Sequence, residues 1–195
     1  DAQNGAPRAV ADLRDLAGCA FADRLAVAAG YGLARLLGVS FEDARSALQT
    51  YAGAPGHGRL LGRLGPLAVA DWTRAAEPRA LCDALRQAGP VVWLAGPSAD
   101  PGIAPLLEAA GTAPRAIVLT GDRRKARRKL ARLCPVYVER DATAALARAF
   151  HAAMAAGPHA GIIVAPGGPC ACDLAEQFTA ALGDLLARAR LGDAA

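Results

Sequence analysis

The rhythm of apolar and polar positions changes once along the chain, and the change divides it. In "DRLAVAAGYGLARLLGV" the apolar residues Leu25, Val27, Ala28, Tyr31, Ala34 and Leu36 recur close to the helical period, and Gly38 stands where a helix C-cap belongs. "SFEDARSAL" announces a second helix. Ser40 is its N-cap, and Asp43, three residues on, puts negative charge in the first turn, where the helix dipole favours it. The glycine- and proline-rich "GAPGHGR" then breaks the pattern. From Leu67 onward short apolar runs, "LAVAD", "VVWLAG", "AIVLTG", "VYVE" and "GIIVAP", alternate with helical stretches that begin near Pro78, Ile103, Arg123 and Thr143.

Runs that are apolar throughout, rather than at every second residue, predict strands covered on both faces, which is the habit of a parallel sheet. Right-handed crossovers between them then give an open, mostly parallel α/β sheet with flanking helices. The predicted organisation is a helical segment over residues 1–52 followed by an α/β domain over 53–195. Ligands of such folds bind beyond the carboxyl ends of the strands, which places the candidate rims at Asp71, at 96–100, at Gly121 and Asp122, and at 166–173.

Composition narrows the setting. A chain of 195 residues with 53% hydrophobic and 21% charged residues can bury a sizeable core. No apolar run approaches the roughly 18 to 20 residues that span a bilayer, and "DAQNGAPRAV" lacks a cationic stretch followed by a hydrophobic one, so the expectation is a soluble chain without membrane partners. Five cysteines, an odd number scattered among alanine-rich segments, are not a disulfide framework and point to a reducing cytoplasm. The net charge of +4 is mild. "TGDRRKARRKLARL" holds seven basic residues between Arg123 and Arg132, but Ala126, Leu130 and Leu133 form an apolar stripe, so the run reads as the solvated face of a helix. With few aromatics beside it for base stacking, no nucleic-acid partner is expected.

Candidate chemistry concentrates at the rims. "LAGPSADPG" and "VAPGGPCACD" are glycine-containing turns after strands, yet neither reads G-x-G-x-x-G and no G-x-x-x-x-G-K-[ST] occurs, so a complete phosphate loop is missing. Cys170 and Cys172 have the wrong spacing for a zinc knuckle. Cys19, Cys82, Cys134, His57, His151 and His159 supply no partner spacing, and no metal site is expected. A disulfide between residues two apart is strained. A thiolate at a helix N-terminus is acidified and reactive, which keeps a nucleophilic Cys172 open, although no companion base is visible.

The order of these features resembles the Mur ligases, the ATP-dependent amide ligases that build the peptidoglycan stem peptide. The resemblance runs from about Ala20 to Ala189, through "LARLLGVSFEDARSALQTYAGAPGHGR", "LAVADWTRAAEPRALCDALR", "LAGPSADPGIAPL" and "GIIVAPGGPCACDLAEQF", and covers the end of the central domain and the C-terminal, Rossmann-like domain. It implies that Arg59 in "GHGR", with His57 close by, contacts nucleotide phosphate, and that Asp71 helps hold the nucleotide. At the last rim it is nearest the D-glutamate-adding branch, whose Ser-Pro-x-Cys-Ala-Ser turn is matched by Pro166, Cys170 and Ala171, with Cys172 in the place of a serine that holds the incoming amino acid's carboxylate and Asp173 and Phe178 shifted. Ser98 and Asp100 of "SAD" complete the implied substrate-binding set.

The departures matter as much. The lysine expected before the Ala-Asp pair is absent, and of the residues that follow the strand-end aspartate in the family, "WTRAAEP" keeps Pro78 alone. Activating a carboxylate as an acyl phosphate requires a phosphate loop, magnesium ligands and cationic clamps. The resemblance puts the loop and the metal carboxylates in a domain upstream of these residues, so ATP and Mg belong to a full-length context and no catalytic residue is assigned here. The expected partners are that upstream ATP-binding domain, or a subunit supplying it, and an amino acid or other acidic small molecule. The alternative expectation is a degenerate, non-catalytic binding or scaffold module.

Overall fold

The computed structural model of the chain describes residues 2–3, 6–7, 24–51, 55–74, 79, 81–82, 85–86, 90–96, 99, 102–121, 124–157, 160–166 and 174–192. Strands β1 (Ala2–Gln3) and β2 (Ala6–Pro7) form a small antiparallel ribbon. Helices α1 (Arg24–Leu36) and α2 (Phe41–Thr50) follow. Gly38 adopts φ 87°, and the Val39 amide donates back to the Ala34 carbonyl at 3.0 Å, closing α1 as the sequence indicates. Ser40 Oγ accepts the Asp43 amide at 3.0 Å and so caps α2. The apolar stripe of α1 is not all buried: Val27 is, but Leu36 is 86% exposed, and Leu33 and Leu37 beside it are exposed too.

The remaining strands are β3 (Arg59–Leu64), β4 (Leu67–Asp71), β5 (Val91–Ala95), β6 (Ala116–Thr120), β7 (Val136–Glu139) and β8 (Gly161–Ala165). They form one sheet in the order β3-β4-β8-β5-β6-β7, parallel throughout except for the antiparallel β3–β4 edge. Every predicted apolar run is a strand, and β4, β8 and β5 are buried at each residue because helices cover both faces. Leu81, Cys82 and Leu85, helical residues after β4, cover one face with α3 (Ile103–Ala109) and α4 (Arg124–Leu130). Helices α5 (Ala142–Ala156) and α6 (Leu174–Gly192) cover the other. The helix starts expected near Ile103 and Thr143 fall within a residue of α3 and α5, whereas Pro78 and Arg123 lie outside the described residues.

β3 is the element the hydrophobic pattern hides. Gly65, at φ 57°, and Pro66 make a two-residue hairpin turn to β4 with the positive φ first, the sense that suits strand twist. Leu60 packs on one face of the sheet and Leu61 on the other, but a bulge between Leu60 and Gly62 shifts the phase, so Leu64 joins the face of Leu61. A β-carbon at Gly62 would lie 2.6 Å from Leu182 Cδ2, which shows how closely α6 covers this edge.

Candidate functional site

Asp71 is the last residue of β4 and the one charged side chain among the described residues that is fully buried, at 1% exposure. Ionised carboxylates have about four lone-pair positions; here three hydrogen-bond donors and one more distant cation approach them. On Oδ2 these are the Gly56 amide at 2.8 Å and Arg59 Nη2 at 3.6 Å. On Oδ1 they are the Thr73 amide at 3.0 Å and the Thr73 hydroxyl at 2.6 Å. Backbone bonds add to this. Gly58 donates to the Asp71 carbonyl at 2.7 Å, Arg74 donates to the Gly56 carbonyl at 3.1 Å, and Trp72 donates to the Val164 carbonyl at 2.8 Å. The "GHG" turn is therefore strapped onto the end of β4.

Glycine is required in that strap. Gly56 adopts φ 77°, and a β-carbon there would sit 2.4 Å from Arg74 Cγ. Arg59 does not belong to the "GAPGHGR" break in the pattern: it opens β3, directly across the ladder from Asp71. Its side chain is 38% exposed, yet its Nε is buried without a partner, as is Trp72 Nε1. Buried donors left unpaired cost roughly 1–3 kcal/mol each. A ligand acceptor meeting them would recover part of that. His57 is exposed on the same turn.

The neighbouring strand ends lie alongside. Asp71 pairs in register with Val164, and Ala95 with Ala165, so β4, β8 and β5 end side by side. Trp93 Nε1 donates to the Ala165 carbonyl at 2.8 Å, fixing the last residue of β8. Gly96 allows Leu174 of α6 to approach, since a β-carbon there would lie 3.0 Å from Leu174 Cδ2. Phe178 is fully buried and anchors the first turns of α6. Of the sequence-derived site residues the structure brings Arg59 and Asp71 together. Ser98, Asp100, Cys170, Cys172 and Asp173 lie outside the described residues. Sequence reasoning missed Gly56, Trp72 and Thr73, although Asp-x-Thr after a strand is a side-chain-to-backbone turn signal.

Among the described residues no cluster of His, Cys, Asp and Glu is arranged to hold a metal ion, and no helix is long and apolar enough to cross a membrane. Burial pushes the Cys134 thiol from 9.0 up to about 11, so at pH 8 it is held almost wholly protonated. Alkylation of Cys134 by iodoacetamide at pH 8 is expected to run about a hundredfold slower than that of a solvated cysteine, read by mass spectrometry of peptides. A rate equal to that of free cysteine would contradict the burial.

No protein-family model matches the chain, and no curated protein matches its sequence. Solved structures do match. The MurF ligase of Thermotoga maritima in complex with ADP superposes with a TM-score of 0.50 at 17% identity, over 82% of this chain and 38% of that one. The UDP-N-acetylmuramate-alanine ligase MurC of the same organism gives 0.49 at 14% identity, over 82% and 37%. A pseudomurein peptide ligase of Methanothermus fervidus gives 0.41 at 14%, over 82% and 35%. The fold is that of a Mur ligase C-terminal domain. The chain spans little more than a third of the length of these Mur ligases. At 17% identity the likeness to the Thermotoga maritima MurF ligase shows the fold alone.

Proposed function

We propose that the chain is the C-terminal, nucleotide-edge and acceptor-binding part of a Mur-ligase-like ATP-dependent amide ligase of peptidoglycan synthesis, acting in the cytoplasm. It works with an ATP-binding domain supplied upstream or by a partner subunit, and it is not catalytically competent alone. The observation that carries the reading is the Arg59–Asp71 pair at the strand ends, with a partly exposed arginine side chain and an unpartnered buried Nε. Arg59 suits a phosphate oxygen, because a guanidinium presents a planar fork of donors that matches an oxyanion. Asp71 is a positioning residue in this scheme: its own oxygens are occupied, and it acts by holding Arg59 and the Gly56 turn. Ser98, Asp100, Cys170, Cys172 and Asp173 are the proposed contacts to the acceptor amino acid. ATP with Mg supplies the activated phosphoryl group when bound by the complete ligase. The residues of this chain orient it and screen charge.

The test is isothermal titration of the chain with ADP. Binding heat is expected, and Arg59→Ala should weaken the affinity about tenfold or more, the loss of one charge-assisted pair. Identical titrations for the native chain and Arg59→Ala would sink the nucleotide-edge reading. A second reading, a non-catalytic binding module, is favoured by the Asp71 carboxylate, which already accepts three hydrogen bonds within the chain, and by the absence of lysine in "WTRAAEP" and "GPSAD". It expects no ADP heat even when an upstream ATP-binding domain is restored.

A further inference from the structure

The sheet edge opposite the Arg59 turn is open and strongly basic. β7 ends the strand order, and among the described residues nothing pairs with its outer side. Pro135 accepts the Ile117 amide and Glu139 accepts the Gly121 amide, both at 2.9 Å. Backbone polarity alternates along a strand, so Val136 and Val138 turn their N–H and C=O groups outward, away from β6. Tyr137 and Val138 are both 37% exposed on this edge.

Helix α4 packs beside β7 and carries no acidic residue. Ala126 and Leu130 bind it to the sheet. Lys125, Arg127, Arg128, Lys129 and, just beyond, Arg132 are exposed, and none of them makes an ion pair with a described residue. The carboxylates close to β7 in sequence are committed elsewhere. Glu139 pairs with Arg148 at 3.0 Å, Arg148 also covers the Tyr137 ring at 5.3 Å, and Asp141 caps α5 through the Ala144 amide at 2.8 Å.

The geometry points to a docking site for an acidic, extended polypeptide segment that adds to β7 as an outer strand while its carboxylates meet the α4 cations. Main-chain bonds to Val136 and Val138 supply affinity, and charge selects the partner. A second copy of this chain is the wrong occupant. Antiparallel pairing of two β7 edges puts both α4 helices on the same sheet face, cation against cation, which is how natural edges avoid self-association. Nucleic acid is disfavoured because Tyr137 is the one aromatic side chain of β7 and Arg148 already stands over one face of its ring, which leaves no row of aromatic platforms for successive bases among the described residues of the edge. The inference is independent of the ligase reading, since β7 and Arg59 stand at opposite edges of the sheet.

Fluorescence anisotropy of a labelled peptide of alternating glutamate and valine, titrated with the whole chain at low salt, tests the site. Saturable binding is expected, weakened about tenfold by the double change Arg128→Glu with Lys129→Glu and by raising salt from about 0.05 to 0.3 M. Both positions are exposed, so the far-UV circular dichroism of that variant should match the native chain. The same peptide N-methylated at alternate residues cannot pair with a strand edge and should bind about tenfold or more weakly. Equal binding of the methylated and plain peptides, unchanged binding by the charge-reversed variant, or no saturable binding at all would each overturn the proposal. Tighter binding of a single-stranded oligothymidylate or of anionic vesicles than of the peptide would overturn it as well, in favour of a general polyanion surface.

Discussion

Asp71→Ala is expected to lower the unfolding free energy by about 3–5 kcal/mol, the cost typical of breaking a buried, hydrogen-bonded charge arrangement. The size follows from what is stranded. Removing the carboxylate orphans the Gly56 amide, the Thr73 amide and the Thr73 hydroxyl, and it leaves Arg59 beside a cavity. Asp71→Asn is expected to fall between, because an amide keeps one acceptor oxygen for two of those donors but turns an N–H pair toward the others. Urea unfolding followed by tryptophan fluorescence measures both. Arg59→Ala is the control. Its side chain is 38% exposed and lies 3.6 Å from Asp71, so screening leaves the pair worth about 0–1 kcal/mol. If Asp71→Ala unfolds within about 1 kcal/mol of the native chain, the strap is not what holds the turn, and the positioning role given to Asp71 goes with it. The contrast between the two variants also protects the ADP titration, since an Arg59→Ala chain that is fully folded can lose nucleotide only through the side chain itself.

The parts of the fold that were legible in the sequence are those decided by near neighbours or by uniform burial. Ser40 and Gly38 act within five residues, so their capping roles are visible in the local string. "LAVAD", "VVWLA" and "GIIVA" lie in the middle of a sheet covered on both sides, and burial at every position leaves an unbroken apolar run. β3 carries the opposite signature. Its edge position leaves it half-exposed, and its bulge moves Leu64 out of phase with Leu60, so neither an unbroken run nor an alternation survives. Leu36, one of the periodic apolar positions of α1, shows the converse case at 86% exposure, because hydrophobicity marks a face without saying whether anything covers it.

The candidate site divides in the same way. Asp71 was legible as the end of an apolar strand, where such folds bring ligands. Its partners were not, because Gly56 reaches it across fifteen residues of sequence through a hairpin that the pattern conceals. Arg59 was placed near the site by family likeness, but its setting changed: a strand residue facing Asp71 across the ladder, rather than an arginine in a loop. That difference alters its chemistry. Its backbone is held in the ladder and Asp71 stands 3.6 Å from one guanidinium nitrogen, so under the proposed nucleotide reading a phosphate would meet a side chain anchored at its base.

Trp93→Ala is expected to cost about 3–5 kcal/mol, the range for emptying a large aromatic site that surroundings cannot refill. Trp93 is wholly buried on β5, between β8 and β6, in the face covered by α3 and α4. Trp93→Phe separates its two contributions. Phenylalanine keeps most of the apolar contact but has no N–H, so the Ala165 carbonyl loses a donor that approaches at 2.8 Å, for a cost of about 1–3 kcal/mol. Because that carbonyl ends β8, the bond also fixes where the chain leaves the sheet. Native-state hydrogen exchange reports this directly: in Trp93→Phe the amides of β8 nearest Ala165 should exchange faster than those near Gly161, whereas a loss of packing alone would loosen the strand evenly. If Trp93→Phe is as stable as the native chain and its exchange unchanged, the indole hydrogen bond contributes nothing, and the order at the end of β8 must come from Leu174 packing on Gly96.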